Sequence, residues 1–229
     1  MPQKFRRPLG NSLLDTLDHD TYERLRPDLE PISFSLGEVI YEPGTRVKQV
    51  YFPTTSHVSL LYTMLDGATA AMGMVGKEGM VGISLFMGAE NTSNRAVVQG
   101  SGKALRLRGQ AMLNEFRSCG QFQRLLLRYT HSLLTQISQT AVCNRLHPVE
   151  QRLCRWLLMV RDRTESDDLQ MTQEFIANML GVRREGVTHA AHGLQKAGLI
   201  RYVRGHIKVL DREGLEAGVC ECYEVVRGA

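Results

Sequence analysis

The apolar positions change period four times along the chain. Over residues 12–30, Leu13, Leu14 and Leu17, then Tyr22, Leu25 and Leu29, recur at helical spacing and predict short helices. From Ile32 to about Leu107 the pattern alternates every second residue. Segments 32–36, 37–41, 49–53, 57–62, 69–75, 95–99 and 104–107 read as short strands, separated by turn residues such as Glu42-Pro43-Gly44 and Asp66-Gly67. Many short strands with frequent turns predict an antiparallel sandwich or roll. A helical period then returns. Phe122, Leu126, Tyr129, Leu133, Gln136, Thr140 and Cys143 follow alternating steps of four and three, and a second stripe runs through Leu127, Leu134, Ile137 and Ala141. One such stripe can face the chain's own sheet and the other a partner helix. His147-Pro148 ends this helix and starts another, whose apolar face is Val149, Leu153, Trp156, Leu157 and Val160. Residues 161–168 read as a polar loop.

The stretch 173–192 has the pattern of two crossed helices. Ile176, Leu180, Val182, Val187 and Ala190 are apolar at the spacings that hold such a pair together, and Ala177 is small where the helices approach. Gly181 stands where the turn needs a positive φ. Thr172 is placed to cap the first helix, and Glu174 suits its positive end. The second helix is expected from Arg183 to Lys196, stopped by Gly198. Leu199–Val203, the turn Arg204-Gly205-His206 and Ile207–Leu210 then read as a hairpin. A helix-turn-helix followed directly by a hairpin is a winged helix. Residues 215–226 suggest one short closing helix.

Charge sharpens this reading. Residues 171–210 hold six Lys/Arg against two Glu, a net +4, and the whole chain is also +4. The positive excess therefore lies on the winged helix, as binding to a phosphate backbone requires. Composition is otherwise that of an ordinary soluble globular protein, at 43% hydrophobic and 23% charged over 229 residues. No run of eighteen apolar residues and no signal-peptide pattern occurs, so a cytoplasmic protein without a membrane span is expected.

Candidate chemistry is sparse. Five scattered cysteines (119, 143, 154, 220, 222) argue against a disulfide framework. Cys220-x-Cys222 offers two ligands with no histidine near in sequence, so ordinary thiols and no metal are expected. His57, alone on a strand, reads as a partly exposed sheet histidine. No H-E-x-x-H, phosphate loop or spaced nucleophile–base pair is present, and Gly73-Met-Val-Gly76-Lys77 lacks the phosphate-loop spacing. An enzyme is not expected.

The order of helical preface, β-roll, long helix and winged helix, together with Met171-Thr172-Gln-Glu-Phe-Ile-Ala-Asn-Met-Leu-Gly-Val-Arg-Arg-Glu-Gly-Val-Thr, resembles the Crp/Fnr family of bacterial transcription regulators. The resemblance implies an α+β, two-domain protein: a cyclic-nucleotide-binding-like β-roll over 1–110, a dimerisation helix and linker over 111–147, and a DNA-binding domain over 148–229. It implies a homodimer on a palindromic operator in double-stranded DNA, with Phe122, Leu126, Tyr129, Leu133, Gln136 and Thr140 as the dimer seam. Arg184 and Glu185 fall on the family's base-reading pair, and Arg183, Thr188 and His189 are expected to assist. Thr172, Gln173, Arg201, Arg204 and Lys208 are expected on phosphates. RNA polymerase and a small-molecule effector are further expected partners.

The family's sensory chemistry transfers less well. Where cyclic-nucleotide members hold ribose with a Gly-Glu pair, this chain has Gly82-Ile83-Ser84, and Ile83 accepts no hydrogen bond. Arg95-Ala96 stands for the phosphate-holding Arg-Ser pair without its hydroxyl. Ser138 falls near the family's base contact. These six residues are the expected effector pocket. No cysteine precedes Cys119 to hold an iron–sulfur cluster, and 80–88 has no Cys or His for haem. The expectation is a regulator modulated by an unidentified effector, with no cyclic AMP, haem, iron–sulfur cluster or metal. The alternatives are a cyclic-nucleotide-dependent regulator and a sensor acting through protein contacts.

Overall fold

The computed structural model describes residues 8–164 and 166–228. Two short helices, α1 (Ser12–Asp15) and α2 (His19–Leu25), lead into seven strands: β1 (Leu29–Phe34), β2 (Val39–Tyr41), β3 (Gln49–Pro53), β4 (His57–Thr63), β5 (Thr69–Val75), β6 (Arg95–Gly100) and β7 (Gly102–Arg108). Each lies within a few residues of the segment that alternation predicts. The strands form two antiparallel sheets, ordered β1-β7-β3 and β2-β6-β4-β5. Phe34, Val50, Phe52, Val58, Leu60, Val98 and Leu107 fill the space between them.

Strand β4 is buried on both faces, from His57 to Leu61. Successive side chains point to opposite sides of a sheet. Val58 and Leu60 therefore enter the roll core, while Leu61, with Met74 and Val97 of neighbouring strands, joins a second core made by the C-terminal half. The sheet that holds β4 and the C-terminal half share this apolar layer. His57 lies on that same outer face and is only 3% exposed, so the partly exposed histidine expected from sequence is in fact enclosed.

The expected long helix is present from Gln121, and a shorter helix precedes it. α3 (Gly109–Arg117) and α4 (Gln121–Leu146) are separated by Ser118–Gly120, where Cys119 takes φ 57°. The expected dimer seam lies on the wrong side of α4 for a partner. Phe122, Leu126, Tyr129 and Leu133 are buried in the chain's own roll core. Gln136 is buried as well, and Thr140 is half-buried with its hydroxyl donating to the Gln136 carbonyl at 2.8 Å. Gln136 accepts from the Met74 N–H at 2.5 Å and donates to the Met74 carbonyl at 3.2 Å. Its amide closes the open edge of β5 as a neighbouring strand would. Gly79 makes room for the same helix, since a Cβ there would lie 2.4 Å from the Tyr129 ring. The roll claims this stripe because it fits the edge of β5. The second stripe is the one left free, with Leu127 52% and Leu134 54% exposed.

After α4, α5 (Val149–Thr164) carries the expected apolar face, and the Trp156 ring packs tilted against Phe175, centroids 5.9 Å apart. The polar loop is shorter than expected: α5 continues to Thr164, and β8 (Asp168–Gln170) follows at once. Then come α6 (Gln173–Leu180), α7 (Arg184–Lys196), β9 (Ile200–Val203), β10 (His206–Val209), α8 (Arg212–Gly218) and α9 (Cys222–Arg227). β8 completes a three-stranded wing sheet in the order β8-β10-β9. The single closing helix is two, α8 and α9. No described helix is long and apolar enough to cross a membrane.

Candidate DNA-binding surface

The local sequence builds the helix-turn-helix as expected. Thr172 caps α6 by accepting from the Phe175 N–H at 3.1 Å. Gly181 ends it in the left-handed region, φ 61° and ψ 42°. Arg183 is the N-cap of α7, so Arg184 and Glu185 occupy its first turn and Thr188 and His189 the next. Val187, Ala190, Ala191 and Leu194 face the core, which leaves Arg183, Arg184, Glu185, Thr188 and His189 exposed.

Residues that are distant in sequence meet beside this helix. Thr172, Gln173, Arg184, Tyr202, Arg204 and Gly205 line one groove of about 320 Å³. The Thr188 hydroxyl lies 2.9 Å from Gln173 Oε1, which leaves the Gln173 amide N–H₂ to donate outward. Arg204 and Gly205 form the two-residue wing turn, both with positive φ, at 49° and 83°. Arginine in this region is strained where Gly or Asn would not be. The turn sets the Arg204 cation at the groove. On the wing ladder Lys208 pairs in register with Arg201 on one side and Asp168 on the other. Two cations directly opposite each other repel unless an anion lies between them. Arg183, Arg184, Arg201, Arg204 and Lys208 make no ion pair with any described residue, and all are exposed. Tyr202 escaped the sequence reading; its hydroxyl donates to the Met171 carbonyl at 3.2 Å and fixes one groove wall.

The expected effector residues sit in different local settings. Gly82, at φ 106°, precedes a single 3₁₀ turn at Ile83–Leu85 that includes Ser84. Arg95 is paired with Glu42 at 3.1 Å, so its charge already has a partner. Ala96 is fully buried in the roll core, and Ser138 is exposed on the free face of α4. The expectation about the cysteines also needs correcting. Cys220 and Cys222 lie with Cys143 and His147, all four ligand atoms within 4.8 Å of one another. The sequence signal was the Cys143-x-x-x-His147 spacing at the end of α4, which sets both side chains on one helix face.

The cyclic nucleotide-binding domain model matches residues 31–119, and the Crp-like helix-turn-helix domain model matches residues 151–217. Several solved structures share the fold. One is a putative transcriptional regulator of the Crp/Fnr family from Eubacterium rectale, with TM-score 0.72 and 16% identity, covering 90% of this chain and 97% of that one. FixK2 from Bradyrhizobium japonicum has TM-score 0.71 and 17% identity, with 84% and 98% covered. The c-di-GMP responsive regulator CLP from Xanthomonas campestris has TM-score 0.69 and 16% identity, with 84% and 99% covered. No curated protein matches the chain in sequence. A β-roll of the cyclic-nucleotide-binding type carrying a winged helix with an exposed basic face defines a DNA-binding transcription regulator. Taken with the two domain matches, it places this chain in the Crp/Fnr family.

Proposed function

We propose that the chain acts as a homodimer that reads a two-fold symmetric site in double-stranded DNA. The observation that carries this reading is the groove where Arg184, Arg204, Thr172 and Gln173 converge. Arg184 and Glu185 reach base edges from the first turn of α7, with Arg183, Thr188 and His189 beside them. Arg pairs with guanine in two hydrogen bonds, and Glu accepts from the cytosine amino group. Thr172, Gln173, Arg201, Arg204 and Lys208 hold phosphates and so set register without specifying sequence.

The dimer seam in this reading is the free face of α4. Leu127, His131, Leu134, Ser138, Ala141 and Arg145 are all exposed and follow alternating steps of four and three. The β-roll passes its state to the DNA-binding domain through the shared layer of Leu61, Met74 and Val97. Cyclic AMP is not the effector proposed. Ile83 offers no ribose acceptor, and the hydroxyl of the family's Arg-Ser pair is missing at Ala96.

Selection from random duplex DNA tests this reading. Enrichment of a palindrome, with affinity falling steeply as salt rises, is the expected result. Enrichment of asymmetric sites, or salt-insensitive binding, would refute the dimeric reader.

A further inference from the structure

Cys143 lies in the last turn of α4, and His147 is the residue that caps its end. Cys220 lies in the turn between α8 and α9, after the wing, Cys222 is the first residue of α9, and this tail folds back against α4. Cys143, Cys220 and Cys222 form a buried cluster of their own, apart from both hydrophobic cores. Cys143 Sγ and Cys220 Sγ are 3.6 Å apart, and Cys222 Sγ is 3.4 Å from His147 Nδ1. Zn–S bonds of about 2.3 Å and Zn–N bonds of about 2.05 Å give a tetrahedron with S···S edges of about 3.8 Å and S···N edges of about 3.5 Å. The two observed edges agree with those lengths. An iron–sulfur cluster, with several metal atoms, would hold its ligands farther apart than one ion does.

The surroundings point the same way. The other ring nitrogen of His147, Nε2, lies 3.5 Å from Glu221 Oε2, a carboxylate that would orient the ring with Nδ1 toward a metal. Gln139 Nε2 donates to Cys222 Sγ at 3.1 Å. Two arginines of α5, Arg152 and Arg155, are only 6% and 5% exposed, and neither meets a carboxylate among the described residues. The Nε of each is buried without a hydrogen-bond partner. Buried charges need an opposite charge. Neutral thiols supply none, whereas a divalent ion with three thiolates and a neutral imidazole carries a net negative charge.

We propose that Cys143, His147, Cys220 and Cys222 form a tetrahedral structural site for a zinc-class divalent cation, which staples the C-terminal tail to the end of α4. All four positions are filled by protein, as in structural rather than catalytic zinc sites. The site sits at the His147-Pro148 joint between α4 and α5. Its occupancy therefore sets how firmly the DNA-binding domain is held to the long helix.

The test uses the full chain, purified under reductant, stripped with a chelator and titrated with cobalt(II). Tetrahedral thiolate coordination is expected to give intense visible bands that saturate at one cobalt per chain and vanish when zinc is added. Cys222→Ser should abolish the thiolate-rich spectrum, and Cys119→Ser, at an exposed thiol outside the cluster, should leave it unchanged. Glu221→Gln should weaken cobalt affinity about tenfold while keeping the tetrahedral spectrum. The wild-type spectrum decides the question even if a cysteine variant fails to fold. Absence of tetrahedral bands, bands that persist in Cys222→Ser, or a metal-free chain carrying a Cys143–Cys220 disulfide would each overturn the proposal. None of these readouts depends on DNA binding, so the site and the DNA-reading function stand or fall separately.

Discussion

Acidification should loosen the contact between the β-roll and the DNA-binding domain, and His57 sets the size of the effect. The ring is enclosed at the end of β4 and packs over Gly100, where a Cβ would lie 2.3 Å from it. Its Nδ1 is buried without a partner. A cleft beside it is walled by Gln99 and Ser101 of the roll and by Val160, Thr164 and Leu169 of the C-terminal domain. Burial, with a smaller contribution from the charge of Arg163, pushes the His57 pKa down from 6.5 to about 4. The unfolded chain binds this proton below about pH 6.5, and the folded chain does not until about pH 4. The stabilisation from a neutral His57 is thus complete above pH 6.5 and is lost progressively as pH falls to 4. The full shift corresponds to about 3 kcal/mol. Between about pH 7 and about pH 5 the loss is about 2 kcal/mol. Urea unfolding at these two pH values, for wild type and for His57→Phe, isolates the effect. Wild type should lose about 2 kcal/mol more than the variant on acidification. Equal losses in the two proteins would refute a buried neutral His57.

Other substitutions test separate parts of the structure. Glu185→Ala, at an exposed site on α7, should leave the melting temperature unchanged and relax the preferred base at one operator position by about 1–3 kcal/mol of discrimination, read by competition binding. Leu134→Arg should yield a folded monomer in sedimentation equilibrium, whereas Leu133→Arg, one residue earlier and 3% exposed, should unfold the chain; a dimeric Leu134→Arg would exclude the free stripe as the seam. Gln136→Leu removes both bonds to Met74 and should cost about 1–3 kcal/mol in chemical denaturation, and a neutral outcome would show that the edge of β5 needs no cover. Gly79→Ala should cost a similar amount through the clash with Tyr129, about 1–3 kcal/mol.

The parts of the fold that were legible in the sequence are those set by local spacing. The strands of the roll, the cap at Thr172, the turn at Gly181 and the wing hairpin each depend on a few consecutive residues whose backbone preferences agree. The break after Gly218 was missed because the apolar rhythm of Leu215, Val219, Tyr223 and Val226 runs across it. β8 was missed because three residues carry too little pattern to separate a strand from a loop.

Position along the chain determined that this protein has a β-roll, a long helix and a winged helix, and which residues of α7 face outward. A helix of period 3.6 exposes Arg184, Glu185, Thr188 and His189 together whatever else packs behind it. Tertiary structure decided everything that depends on which of two surfaces meets a third. α4 carries two apolar stripes that periodicity cannot rank, and the Phe122 stripe is internal because Gln136 fits the edge of β5 and Gly79 admits Tyr129. His57 is enclosed because the DNA-binding domain lies on the outer face of β4. The thiols at 220 and 222 gain Cys143 and His147 because the tail returns to α4, about seventy-five residues back along the chain. Contacts over such separations leave no periodic trace, since they arise from the packing of complete elements and not from the backbone preferences of neighbours.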